Sequence, residues 1–207
     1  QVPPLVLAHH ARLGGESEEA SSALVAAATS ALGRFDGEAA IAMLDMAITL
    51  SDGAAARVLR ARARTALGRY VLAEEDLAVA RRLGAQEEAD EVEAWVAHFQ
   101  RQFDRALARA DDGARRGTDP ELRSVCLGLG GWISLARGDL PGAERRLTEA
   151  VTESPDPGRL ALGLAGGRRN QVRPEDTVAL TRNTLAASTA SVRFPNDYAG
   201  MSAAMAL

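Results

Sequence analysis

Four stretches of this chain carry like residues at like offsets, and that recurrence restricts its fold more than any other feature. They are "LGRFDGEAAIAMLDMAI" from Leu32, "LGRYVLAEEDLAVA" from Leu67, "FQRQFDRALARADDGA" from Phe99 and "ARGDLPGAERRLTEAV" from Ala136. Gly33, Gly68 and Gly138 stand two residues before Phe35, Tyr70 and Leu140, and the third copy has Arg101 and Phe103 in those places. Small residues follow at Ala40, Ala73, Ala106 and Ala143, then Leu44, Leu77, Ala110 and Leu147, then Ala47, Ala80, Gly113 and Ala150. Seven residues before each glycine position comes another small residue: Ala26, Ala61, Ala94 or Gly131. The glycine positions are 35, 33 and 37 residues apart. Self-similarity at that period marks stacked repeats, in which each unit buries its apolar face only against its neighbours.

Each unit reads as two antiparallel helices. The first helices are predicted at about 17–32, 54–67, 87–100 and 120–137, and the second at about 37–50, 70–83, 103–116 and 140–153. Glycine ends a first helix because it takes up the left-handed conformation of a helix C-terminus without strain. Asp119 before Pro120 is an N-cap followed by a first-turn proline, Asp139 precedes the helix at 140, and Pro155 follows its end. Composition agrees with an all-α chain. Of its residues 46% are hydrophobic, mostly alanine and leucine, and only 4% are aromatic. No run of β-branched and aromatic residues long enough for a sheet appears.

Glycine, aromatic, alanine, leucine or aromatic, alanine and then proline at these offsets resemble the tetratricopeptide repeat. The fourth copy is the fullest, with Gly138, Ala143, Leu147, Ala150 and Pro155. The resemblance covers about residues 17–155 and implies an α-solenoid of antiparallel helix pairs, a tetratricopeptide-like superhelix of four repeats. The first copy carries about two extra residues in "FDGEAA", the third lacks the glycine, and the early tryptophan of a consensus repeat is missing from every first helix. Residues 1–16 read as a junction helix from a preceding module. Residues 156–207 read as a degenerate fifth repeat and, in "FPNDYAGMSAAMAL", the opening of a sixth.

"LVLAHHARLGGESEEASSALVAAATSAL", residues 5–32, resembles a particular junction in the large ATP-binding regulators of the LuxR family. There a nucleotide-binding module of the signal-transduction ATPase type precedes tetratricopeptide-like repeats, and a C-terminal helix-turn-helix binds DNA. A histidine pair, here His9 and His10, is common at that junction. The resemblance implies a fragment of a bacterial, cytoplasmic transcription regulator whose repeats sense a signal or hold the ATPase inactive. A chain that starts at Gln1 and stops in a helix-like stretch fits a fragment. Two alternatives remain open: a free-standing adaptor binding peptides, and the repeat region of a cyclase or other enzyme fusion.

The chemistry of enzymes is missing from the sequence. All 24 basic residues are arginine, so no intact P-loop with its lysine can exist here. "LGLGGW", residues 127–132, falls inside a first helix, where glycines serve close packing. There is no Gly-x-Ser-x-Gly elbow. Cys126, the single cysteine, lies among apolar residues as a small buried group and fits a reducing cytoplasm. His9 and His10 are adjacent and diverge by about 100° on a helix, which disfavours a shared metal ion. The acidic run "QEEADEVE" at 86–93 reads as a solvated helix face, and the arginines of "RVLRARAR" as surface ion pairs with "EED" at 74–76. A net charge of −4 leaves no footprint for nucleic acid, and no apolar run approaches the roughly 18 residues of a membrane span. The expectation is a non-catalytic module without cofactor or metal. Its partner is a protein or peptide, other domains of the same chain included, and it makes no contact of its own with nucleic acid or membrane.

By the resemblance, first helices line a concave groove. The ninth positions of the four units are then Ala27, Arg62, Trp95 and Trp132, with His98 and Phe99 one turn beyond Trp95. Tryptophan offers a large contact area with a polar edge, and arginine can take a carboxylate. Arg62, Trp95, His98, Phe99 and Trp132 are therefore the candidate groove-binding residues. Packing of the aromatics into the inner wall is the competing reading.

Overall fold

The computed structural model describes residues 6, 9, 13–34 and 36–154. Phe35, Pro155, His10, most of the expected junction helix and the expected fifth and sixth repeats lie outside the described residues. Among those described there is no strand, and eight helices follow one another: α1 Ser17–Leu32, α2 Gly37–Leu50, α3 Ala54–Ala66, α4 Tyr70–Arg82, α5 Gln86–Phe99, α6 Phe103–Arg116, α7 Pro120–Ala136 and α8 Leu140–Glu153. Every predicted boundary falls within one residue of the observed one. The helices pair as hairpins, α1 with α2, α3 with α4 and α7 with α8, and α6 also packs on α7. The chain divides into two compact units, Gln1–Val92 and Glu93–Leu207.

The caps work as their chemistry dictates. Asp36, Asp119 and Asp139 accept hydrogen bonds from the backbone N–H groups of Ala39, Glu121 and Gly142 at 3.1, 3.0 and 3.0 Å, satisfying donors that a helix start leaves open. At the far ends, Arg69 N–H donates to Arg64 O at 2.8 Å, Gln102 N–H to Ala97 O at 2.8 Å and Asp139 N–H to Ser134 O at 2.9 Å. These bonds close around residues in the left-handed region, namely Gly68 (φ +73°), Arg101 (φ +61°) and Gly138 (φ +80°). The third copy thus makes the same turn without a glycine.

The first copy departs from its predicted register. Gly33 has φ −61°, an ordinary right-handed value. The bond equivalent to Arg69 N–H to Arg64 O is Asp36 N–H to Ala31 O at 3.0 Å. Position 35, not Gly33, therefore matches Gly68. The second helices start at 37, 70 and 103, a constant spacing of 33, then at 140. No extra residues exist in "FDGEAA"; anchoring on the glycine created them. The small residue equivalent to Ala61, Ala94 and Gly131 is accordingly Ala28, fully buried, and Ala26 is exposed.

Each unit has its own apolar core. In the first, Leu24, Ala28, Leu32, Ala40, Ile41 and Leu44 cluster. In the second, Ala94, Trp95, Ala106, Ala110, Leu129 and Ile133 form one cluster, and Leu122, Cys126, Leu127 and Ala150 another. Leu44, Leu77 and Leu147 occupy one repeat position and are sealed from solvent, each contributing about 1.5–3 kcal/mol. In the last hairpin the glycines of "LGLGGW" let α8 close on α7. A Cβ on Gly131 would run into Leu147 Cγ.

Candidate functional site

In the first unit the first helices flank an open cleft of about 510 Å³. Val25 and Thr29 of α1, Ala54, Ala55, Val58, Leu59 and Arg62 of α3, Leu83, Gly84 and Ala85 of the α4–α5 turn and Glu88 of α5 line it. Small residues along α3 give it depth, and its walls are mainly apolar. The corrected register explains this company: counted from the second helices, the position equivalent to Arg62 is Thr29 rather than Ala27. Thr29 and Arg62 both face the cleft, whereas Ala27 is buried. Sequence reasoning missed Thr29, Val58 and Glu88, and aligning the copies on their second-helix starts would have recovered Thr29.

Arg62 faces the cleft with its charge already answered. Its Nη2 donates to Glu91 Oε2 of α5, a carboxylate sealed from solvent. Arg62 Nε has no hydrogen-bond partner among the described residues and is itself buried. The expected carboxylate partner is therefore supplied by the chain itself.

Behind Arg62, the other arginines of α3 are also engaged. Asp76 of α4 is buried and accepts hydrogen bonds from Arg57 Nη1 (3.1 Å), Arg60 Nε (2.9 Å) and Arg64 Nη1 (2.6 Å). Arg57 forks onto Asp52 at 2.7 and 2.9 Å, and Arg60 reaches Asp45 of α2. The bond from Arg57 holds the Asp52 carboxyl below its ordinary pKa, and the bond to Asp76 holds Arg60 above the ordinary arginine value. The pairing of these arginines with "EED" is present, but at the centre of the network it is buried rather than on the surface.

The acidic run is likewise not a solvated face throughout. Gln86 and Glu88 are exposed, yet Asp90, Glu91 and Glu93 are buried. Asp90 takes Arg81 at 2.9 Å, Glu91 takes Arg62, and Glu93 takes Arg105 at 2.7 Å and Arg109 at 3.2 Å. Burying a carboxylate demands a cation beside it, and α3, α4 and α6 supply them.

In the second unit the structure brings Trp95, His98 and Phe99 together. Trp95 stacks on Phe99 (centroids 5.7 Å) and meets His98 edge-on at 6.0 Å, and His98 also lies 5.9 Å from Phe103. Trp95 is buried within the core, which is packing. His98, Phe99 and Trp132 are half-buried. Burial lowers the His98 pKa below the ordinary histidine value.

Comparison with known proteins follows the geometry. No protein-family model matches the sequence, and no curated protein matches it. Solved structures do. PilF of Pseudomonas aeruginosa superposes with a TM-score of 0.66 at 16% identity, over 92% of this chain and 90% of that one. A chain of the APC/C hetero-tetramer Cut9–Hcn1 gives 0.66 at 14% identity, over 99% of this chain, which spans 42% of that one. At such identities the likeness concerns the fold. The protein is an all-α helical-repeat solenoid of the tetratricopeptide-like kind. No helix among the described residues is long and apolar enough to cross a membrane.

Proposed function

We propose that the chain is a protein-interaction module, without catalysis of its own, whose first-helix cleft takes a segment of a partner protein. The observation that carries this reading is the cleft between α1, α3 and α5, concave, mainly apolar and of a volume that suits bulky side chains. The Cut9–Hcn1 neighbour, solved as a hetero-tetramer, supports an assembly role for the fold. In the second unit His98, Phe99 and Trp132 are the half-buried first-helix residues assigned to partner contact, with Trp95 packing against Phe99. Selection of random dodecamer peptides on the immobilised 207-residue chain tests the reading. Enriched peptides are expected to lose binding to Ala55→Trp, which fills the cleft from an exposed position. No enrichment, or equal binding to that variant, overturns it.

On the junction resemblance of residues 5–32 we place the module in a LuxR-type regulator, between an ATP-binding and a DNA-binding part. A P-loop encoded upstream and a helix-turn-helix downstream are the expected result of sequencing the flanking DNA. A reading frame closed near Gln1 and Leu207 leaves the free-standing adaptor instead.

A further inference from the structure

We infer that the cleft between α1, α3 and α5 selects a partner segment with a bulky apolar side chain beside an arginine or lysine, the cation meeting Glu88. The inference rests on the interaction reading above and adds the partner's chemistry. Among the described residues two charged ones line the cleft, Arg62 and Glu88. Arg62, though it lines the cleft, has its charge answered by Glu91, whereas Glu88 is exposed. The remaining arginines of α3 are held by Asp76, Asp52 and Asp45. Helix α1 has no basic residue at all, and Arg82, next to Leu83 in sequence, does not line the cleft. Among the described lining residues an acidic tail would therefore find no available cation and one like charge. A basic segment finds a carboxylate at the rim and an apolar wall from Val25, Val58 and Leu59. Complementary charge of this kind sets partner choice more than raw affinity.

The test uses three fluorescein-labelled nonapeptides, Gly-Ser-Gly-Leu-Arg-Leu-Gly-Ser-Gly and its central Glu and Gln versions, titrated into the full chain by fluorescence anisotropy. The Arg peptide is expected to bind about tenfold more tightly than the Glu peptide, with Gln between. Glu88→Arg, at an exposed site, is expected to reverse that order, and raised salt to compress it. An unchanged order in Glu88→Arg, or preference for the Glu peptide, overturns the inference. If the three peptides bind equally and Ala55→Trp blocks them, the charge preference is wrong and the interaction reading survives. If none binds, the inference falls. The unbiased peptide selection then decides separately whether the interaction reading falls with it.

Discussion

The α3–α4 and α5–α6 hairpins set opposite charges at the same two positions. In the first, Arg60 on the leading helix meets Asp76 on the returning one, and 33 residues further on Glu93 meets Arg109. In the α1–α2 hairpin the equivalent positions hold Ala27, which is buried, and Met43, which packs on the apolar core. In α7–α8 they hold Gly130 and Arg146, so close that a Cβ on the glycine would lie 3.1 Å from Arg146 Cδ. The four copies thus fill these two positions with different chemistry. What distinguishes the two charged versions is access to water. The Arg57, Arg60 and Arg64 side chains around Asp76 are 18%, 11% and 15% exposed, whereas Arg105 and Arg109 around Glu93 are 39% and 38% exposed.

That difference sets the largest expected effect. Removing the carboxylate in Asp76→Ala takes the shared buried acceptor from three poorly solvated guanidinium groups, leaving Arg57 on Asp52 and Arg60 on Asp45 but Arg64 with no carboxylate, and is expected to cost about 3–5 kcal/mol, the range for breaking a buried ion pair from one side. Urea unfolding monitored by helical circular dichroism measures it. A loss under about 1 kcal/mol would show that the arginines swing out to water, and the contrast between the hairpins would vanish.

The mirrored change, Glu93→Ala, is expected to cost about 1 kcal/mol, because Arg105 and Arg109 already reach solvent and can turn fully into it. Gln102 keeps one bond to Arg105 at 3.1 Å in any case. Parallel urea titrations of the two variants sharpen the comparison. Equal losses would mean that carboxylate burial alone decides, since both carboxylates are nearly sealed.

These hairpins also show where the sequence was legible. Helix boundaries came out within a residue, because caps, small-residue spacing and apolar period are local signals. The register of the first unit did not, because glycine reports a backbone conformation and not a repeat position. Gly33 is right-handed and Arg101 takes the left-handed turn that Gly68 takes. The error moved the groove position from Thr29 to Ala27. The charges failed for another reason. Whether Glu91 or Asp90 faces water depends on which arginines neighbouring helices send toward it, and that is a pairwise property with no signature in one segment. The cleft is of the same kind, assembled from α1, α3, α5 and the turn at Leu83.

The smallest expected effect concerns those two turns. Gly68 and Arg101 occupy one turn position at φ +73° and +61°. For a residue with a Cβ the left-handed conformation costs about 1–2 kcal/mol, and Arg101 recovers part of it by lying over the Phe103 ring, 5.6 Å from the centroid. An exposed cation–π contact contributes only about 0.5–1 kcal/mol. Arg101→Gly is therefore expected to raise stability by about 0.5 kcal/mol, the turn relief slightly exceeding the lost ring contact. Gly68→Arg should lower it by about 0.5 kcal/mol, since Tyr70 stands two residues on, as Phe103 does from Arg101, and its ring can recover part of the turn's cost. The urea midpoints of both variants against the parent chain decide the matter. If Arg101→Gly loses stability, the arginine is held in its turn by the ring beside it, and the two hairpins differ in what closes them as well as in what fills them.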